Sequence, residues 1–143
     1  MNVGVIGCGT MGSGIAQVAA TANCKVVVFD VNKEALTKSE SKLQKILNRL
    51  IEKGRIDEEK KNAILGNISY TSSMTDFSDA NIVIEAIVEN LKIKHSVFTE
   101  LETIVSTDCI IASNTSSLSI TSLAACLKKP ERFVGVHFST QLP

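Results

Sequence analysis

The 143-residue chain has no tryptophan, only two prolines and no excess of either charge. Each absence narrows what it can be. Scarce proline, with 44% hydrophobic and 21% charged residues, excludes a disordered or collagen-like chain and points to an ordered globule of one domain. Lys+Arg 15 against Asp+Glu 15 leaves no basic field to gather nucleic acid by counterion release and no polybasic run to hold a membrane. No apolar run approaches the roughly 20 residues that a membrane-spanning helix requires. The four cysteines, Cys8, Cys24, Cys109 and Cys126, form no CxxC pair and have no histidine at metal-ligand spacing. With no leader-like segment ahead of them, a reducing cytoplasm is the expected setting. Small molecules or like subunits are the expected partners.

What is present is a regular alternation. Met1 to Ile6 reads as a strand, Gly7 to Gly12 as a turn, and the Ala-rich segment from Ser13 to Ala22 as a helix. The β-branched run Lys25 to Phe29 is a second strand, parallel and adjacent to the first. A long helix follows, capped by Asn32 and closed by Gly54, with Leu36, Leu43, Ile46, Leu47, Leu50 and Ile51 on one stripe. Asp57 caps a short helix through Leu65, ended by Gly66, so a helical hairpin precedes the third strand, Ile68 to Thr71. The remainder reads as strand 81–86, helix 91–105, strand 109–113, helix 119–127 ended by Pro130, and strand 132–138. This pattern predicts an α/β fold: a doubly wound parallel sheet of the Rossmann type, in the order 3-2-1-4-5-6, with a helical hairpin inserted after the second strand.

The chemistry starts at Gly7-Cys8-Gly9-Thr10-Met11-Gly12. GxGxxG alone is weak evidence, because glycines are common in turns. Here it leaves a predicted strand, opens a predicted helix and precedes an acidic residue, Asp30, at the end of the next strand, roughly 20 residues on. Gly7 permits the tight turn, Gly9 lets the backbone approach a pyrophosphate, and Gly12 lets helix and strand pack closely. The N–H groups of the segment, Cys8, Thr10 and Met11 included, then face the phosphates with the positive end of the helix dipole behind them. Asp30 is placed to accept from both hydroxyls of an adenosine ribose and to repel a 2′-phosphate, favouring NAD(H) over NADP(H). Flavin and methyl-donor sites use similar turns, and Asp30 could by itself be a solvated turn residue.

Three segments carry a resemblance: Val5-Ile-Gly-Cys-Gly-Thr-Met-Gly-Ser-Gly-Ile-Ala-Gln17, Val83-Ile-Glu-Ala-Ile-Val-Glu-Asn-Leu-Lys92 and Ala112-Ser-Asn-Thr-Ser-Ser-Leu-Ser-Ile120. Together they resemble the L-3-hydroxyacyl-CoA dehydrogenases, especially the bacterial 3-hydroxybutyryl-CoA branch, over nearly the whole chain. The resemblance implies reversible oxidation of an (S)-3-hydroxyacyl-CoA to the 3-oxoacyl-CoA in fatty acid and butanoate metabolism, with NAD as cofactor. It implies further that Glu89, Lys94 and Ser116 line the nicotinamide half of the site and that Lys53 reaches the phosphates of coenzyme A. Ser116 would hydrogen-bond the reacting oxygen. His137 would be the catalytic base, its imidazole titrating near neutrality as reversible proton transfer requires. His95, in a helix among polar neighbours, reads as an exposed residue with no such role.

The end of the chain departs from the pattern. Family members continue His-Phe-Phe-Asn-Pro, whereas this chain reads His137-Phe-Ser-Thr-Gln-Leu-Pro143 and puts Thr140 where the Asn stands. The carboxylate expected to orient the histidine is missing, as is the all-helical second domain through which the family form is a homodimer. Residues 1–143 are therefore expected to be the dinucleotide-binding domain of a two-domain enzyme, a fragment or a product with an altered end, binding NAD but weakly active alone. Two other readings stay open: a non-catalytic NAD-binding module, and a dehydrogenase of free 3-hydroxyacids.

Overall fold

The computed structural model describes residues 1–87, 90–114 and 120–136. Six parallel strands form one sheet in the order β3-β2-β1-β4-β5-β6: β1 Asn2–Ile6, β2 Lys25–Phe29, β3 Ile68–Thr71, β4 Ile82–Glu85, β5 Ile110–Asn114 and β6 Phe133–Val136. The helices are α1 Thr10–Thr21, α2 Lys33–Glu52, α3 Glu58–Gly66, α4 Leu91–Glu102 and α5 Ile120–Ala124. The order is the expected one, and its reversal point falls between β1 and β4.

Strands buried on both faces must be apolar almost throughout, so their sequences are β-branched runs rather than alternating patterns. Val3, Val5, Val26, Val28 and Ile68 pack on one side against Ile15 and Ala16 of α1, Leu36, Leu43 and Leu47 of α2, and Ile64 of α3. Val83, Ile111 and Phe133 pack on the other side against Phe98 and Leu101 of α4 and Leu123 of α5. There Phe98 meets Phe133 edge-on at 5.2 Å.

Capping sets the helix boundaries. The Asn32 side chain accepts from the Ala35 N–H at 3.1 Å and that of Asp57 from the Lys60 N–H at 2.7 Å, so both predicted N-caps are in place. At the end of α2, Gly54 adopts φ +70° while its N–H and that of Arg55 bond the carbonyls of Ile51 and Leu50, a Schellman closure.

Several boundaries differ from expectation. Gly66 lies inside α3, whose cap is Asn67; the Asn67 amide donates to Ala20 O at 3.1 Å, so a tertiary contact sets the exit. Helix α4 stops at Glu102, and α5 is shorter than predicted, ending at Ala124. Pro130 opens a 3-10 turn, Pro130–Arg132, that leads into β6. A second 3-10 turn, Met74–Phe77, was not expected; it buries Met74 and Phe77, and Phe77 packs edge-on against Phe29. Four residues are too few to carry a period. Among the described residues, no helix is long and apolar enough to cross a membrane, and all four cysteines are free thiols.

Candidate active site

Every strand of a parallel sheet ends on the same edge, so Gly7, Asp30, Ala86 and the Ser113–Asn114 end of β5 converge at the carboxyl edge. The crevice where strand order reverses is where ligands of open α/β sheets bind. Two backbone bonds stitch its floor: Gly7 N–H to Phe29 O at 2.8 Å and Ala86 N–H to Ile6 O at 2.9 Å.

The glycines act differently from one another. Gly7 has φ +101°, and a Cβ there would lie 2.8 Å from Ala86 O, so both conformation and space demand glycine. A Cβ on Gly12 would collide with the carbonyl oxygen of Gly7, which is how α1 comes to start directly against the end of β1. Above Gly9 there is open space: a Cβ would meet nothing within 4 Å. Gly9 is also the N-cap of α1 with no side chain to cap it, and the first turn carries no acidic residue. The N–H groups of Thr10, Met11 and Gly12 therefore have no acceptor among the described residues and point, with the helix dipole, into that space. This cradle fits a diphosphate.

Asp30 is fixed across from it. Its Oδ2 accepts from the Cys8 N–H at 3.2 Å and from the Cys8 thiol at 3.3 Å, and its Oδ1 from the Asn32 N–H at 2.9 Å. The Cys8 amide thus serves the carboxylate rather than the open space, and the cradle proper runs from Gly9 to Gly12. Burial first, then the hydrogen bond and charge of Asp30, pushes the Cys8 thiol up to about 11, so it stands here as a neutral donor.

Beside Asp30 the crevice holds a slot of about 140 Å³ lined by Ile6, Phe29, Val31, Ile87, Ile93 and Val97. Val31 is 82% exposed and Ile93 46%, so the slot presents an apolar surface to the crevice. Sequence reading missed these residues. The available signal was Val31 itself, an apolar residue between Asp30 and the cap Asn32, where a turn is ordinarily polar. A larger cavity of about 330 Å³ opens at the opposite, amino edge, among Asn2, Lys25, Asn67, Asp76 and Asp79, remote from the glycine turn.

On the β4 side, Lys94 is completely buried, its Nζ 3.1 Å from Glu85 Oε1. The hydroxyl of Ser113 donates to the same oxygen at 2.6 Å, and the Ile87 N–H donates to Oε2 at 2.6 Å. Glu85 and Ser113, both fully buried, were not among the expected site residues.

The sequence matches the family model for the 3-hydroxyacyl-CoA dehydrogenase, NAD binding domain, over residues 2–143. The chain belongs to this family. It is 45% identical, over its whole length and 51% of the relative's, to a probable 3-hydroxybutyryl-CoA dehydrogenase of Deinococcus radiodurans. To the 3-hydroxybutyryl-CoA dehydrogenase of Mycobacterium tuberculosis it is 40% identical over 99% of the chain and 50% of the relative. The crystal structure of (S)-3-hydroxybutyryl-CoA dehydrogenase from Ralstonia eutropha superposes with a TM-score of 0.96 at 41% identity, covering 99% of this chain and 50% of that one. The 3-hydroxybutyryl-CoA dehydrogenase of Escherichia coli K12 superposes at 0.97 with 36% identity, covering 100% and 30%. The chain spans about half the length of the curated relatives it matches.

As a 3-hydroxyacyl-CoA dehydrogenase NAD-binding domain, the molecule brings Gly7, Cys8, Gly9, Thr10, Met11, Gly12 and Asp30 to one edge and sets Lys94 at that edge too. Lys53 is exposed at the C-terminal end of the 20-residue α2, about 30 Å along the helix from its start beside Asp30. Glu89, Ser116 and His137 lie outside the described residues. His95 is a correction: it is half-buried, with Nε2 3.1 Å from Ser122 O, so it ties α4 to the α5 segment instead of facing water. No group of side chains able to hold a metal ion occurs among the described residues.

Proposed function

We propose that this domain holds NAD(H) for an oxidoreductase that interconverts (S)-3-hydroxyacyl-CoA, 3-hydroxybutyryl-CoA in particular, and the 3-oxoacyl-CoA. The observation that carries the reading is the uncapped mouth of α1, with open space over Gly9 and Asp30 pinned beside it. Gly9 to Gly12 would grip the diphosphate, Asp30 the adenosine ribose, and the Val31–Ile93 slot the adenine ring. When bound, the nicotinamide supplies the hydride acceptor.

The remaining roles rest on the family match. His137 takes the proton of the 3-hydroxyl, Ser116 donates a hydrogen bond to that oxygen, and Glu89 and Lys94 flank the nicotinamide. Lys53 meets phosphates of coenzyme A, which requires the acyl-CoA to lie along α2. The longer relatives supply the length for a second domain, through which the whole protein would dimerise. Four free thiols suit a reducing cytoplasm.

Calorimetric titration of the chain with NADH and NADPH tests the cofactor half. NADH should bind and NADPH at least tenfold more weakly, and Asp30→Ala should narrow that gap; no binding, or equal binding of the two, would sink the reading. In the whole two-domain protein, NADH oxidation with acetoacetyl-CoA but not with acetoacetate, lost in His137→Gln, tests the chemistry.

A further inference from the structure

The Glu85–Lys94 pair is costly to keep. Both side chains are completely removed from water, and a buried pair of this kind is generally no more stabilising than well-packed apolar residues of the same volume. Its upkeep needs every acceptor site filled, and Glu85 meets that demand with the Ser113 hydroxyl, the Ile87 amide and the Lys94 ammonium. One carboxylate thus fixes three separate pieces: the end of β5, the segment after β4 and the first turn of α4.

Its place in the fold is informative. A dinucleotide lies across the reversal point with one mononucleotide on each half of the sheet. Asp30 on β2 marks the adenosine half, so the second base lies over β4 and β5, the strands that carry Glu85 and Ser113. Both residues are the last or next-to-last of their strands and stand in register with one another.

Resting on the NAD reading above, we propose that Glu85 is a positioning residue for the nicotinamide half of the site. It holds Lys94 in place through the ion pair, and keeps the end of β5 at a fixed height beneath the second base, while the adenosine half is independent of it. Core packing alone would predict no such division between the two halves of the ligand.

ADP-ribose, which keeps the adenosine and both phosphates but has no nicotinamide, separates the two. The 143-residue chain and its Glu85→Gln variant are titrated with NADH and with ADP-ribose, and circular dichroism melting checks the fold of each. In the folded variant, NADH affinity should fall at least tenfold while ADP-ribose affinity stays within twofold. Should Glu85→Gln not fold, Glu85→Asp, which keeps the charge and withdraws it by one methylene, takes its place, with the same split expected. A folded variant in which both ligands weaken together, or in which neither changes, overturns the assignment to the nicotinamide half. A parent chain that binds neither nucleotide overturns the NAD reading itself, and this proposal with it.

Discussion

Replacing Gly9 by alanine should separate folding from cofactor binding. The backbone at Gly9, φ −67° and ψ −167°, is extended and open to alanine, and the added Cβ meets nothing within 4 Å. Alanine is a poorer N-cap than glycine by about 0.5 kcal/mol. Against that, it removes unfolded-chain freedom worth about 0.4–1 kcal/mol. The two nearly cancel, so the melting temperature should move by no more than about 4 °C. Binding is another matter, because the methyl projects into the space above the N–H groups of Thr10, Met11 and Gly12. Charged hydrogen bonds of that kind contribute about 1.5–3 kcal/mol each, and weakening one of them should raise the NADH dissociation constant by about ten- to a hundredfold. Gly12→Ala should by contrast cost stability as well as binding. Its Cβ collides with backbone, the Gly7 carbonyl, which a side-chain shift cannot relieve, and overpacking of that type costs about 1–3 kcal/mol or more of stability. Thermal melts and calorimetry on both variants decide. A Gly9→Ala protein that binds NADH as tightly as the parent, or melts as early as Gly12→Ala, would refute the reasoning.

Three further outcomes follow from the structure. The Cys8 thiol, raised to about 11, should resist iodoacetamide at pH 8 while more exposed cysteines react. Because its folded value lies above the ordinary 9.0, its contribution is fully present below pH 9 and is lost as pH rises toward 11. Tyr70, raised to about 12 by burial and then by the nearby Glu40 charge, acts in the same sense, so alkaline melts should show stability falling from about pH 9 and a shallower fall in Cys8→Ala. Gly54→Ala places a Cβ at φ +70° and should cost about 1–2 kcal/mol, read as an earlier thermal melt, with NADH affinity unchanged because this cap lies at the far end of α2 from Asp30.

Most of the architecture was legible in the chain because its signals are local. A strand buried on both faces is apolar along its run, which residues 26–29 and 82–84 display, and the caps Asn32, Asp57 and Gly54 act on residues within a turn or so of themselves. The geometry of the glycine turn was legible for the same reason, since Gly7, Gly9 and Gly12 act on one turn. Where the structure departs from expectation, the deciding contact comes from elsewhere: Asn67 ends α3 by bonding Ala20, and Phe77 is drawn into a 3-10 turn by packing on Phe29.

The same distinction explains why half of the site stayed hidden. Val31, Ile87 and Ile93 form one slot, yet they belong to three segments that meet only because β1 separates β2 from β4 in the sheet. Glu85 reads in sequence as a polar residue closing a strand, the ordinary position for a solvated carboxylate. What makes it a buried hub is that α4 folds back over β4 and delivers Lys94, while the β5 register delivers Ser113. Topology is therefore what converts strand-end residues into a site. A substitution at Glu85 should consequently alter recognition of the second base without disturbing the grip of the glycine turn, which is fixed by its own backbone and by Asp30 on the other side of β1.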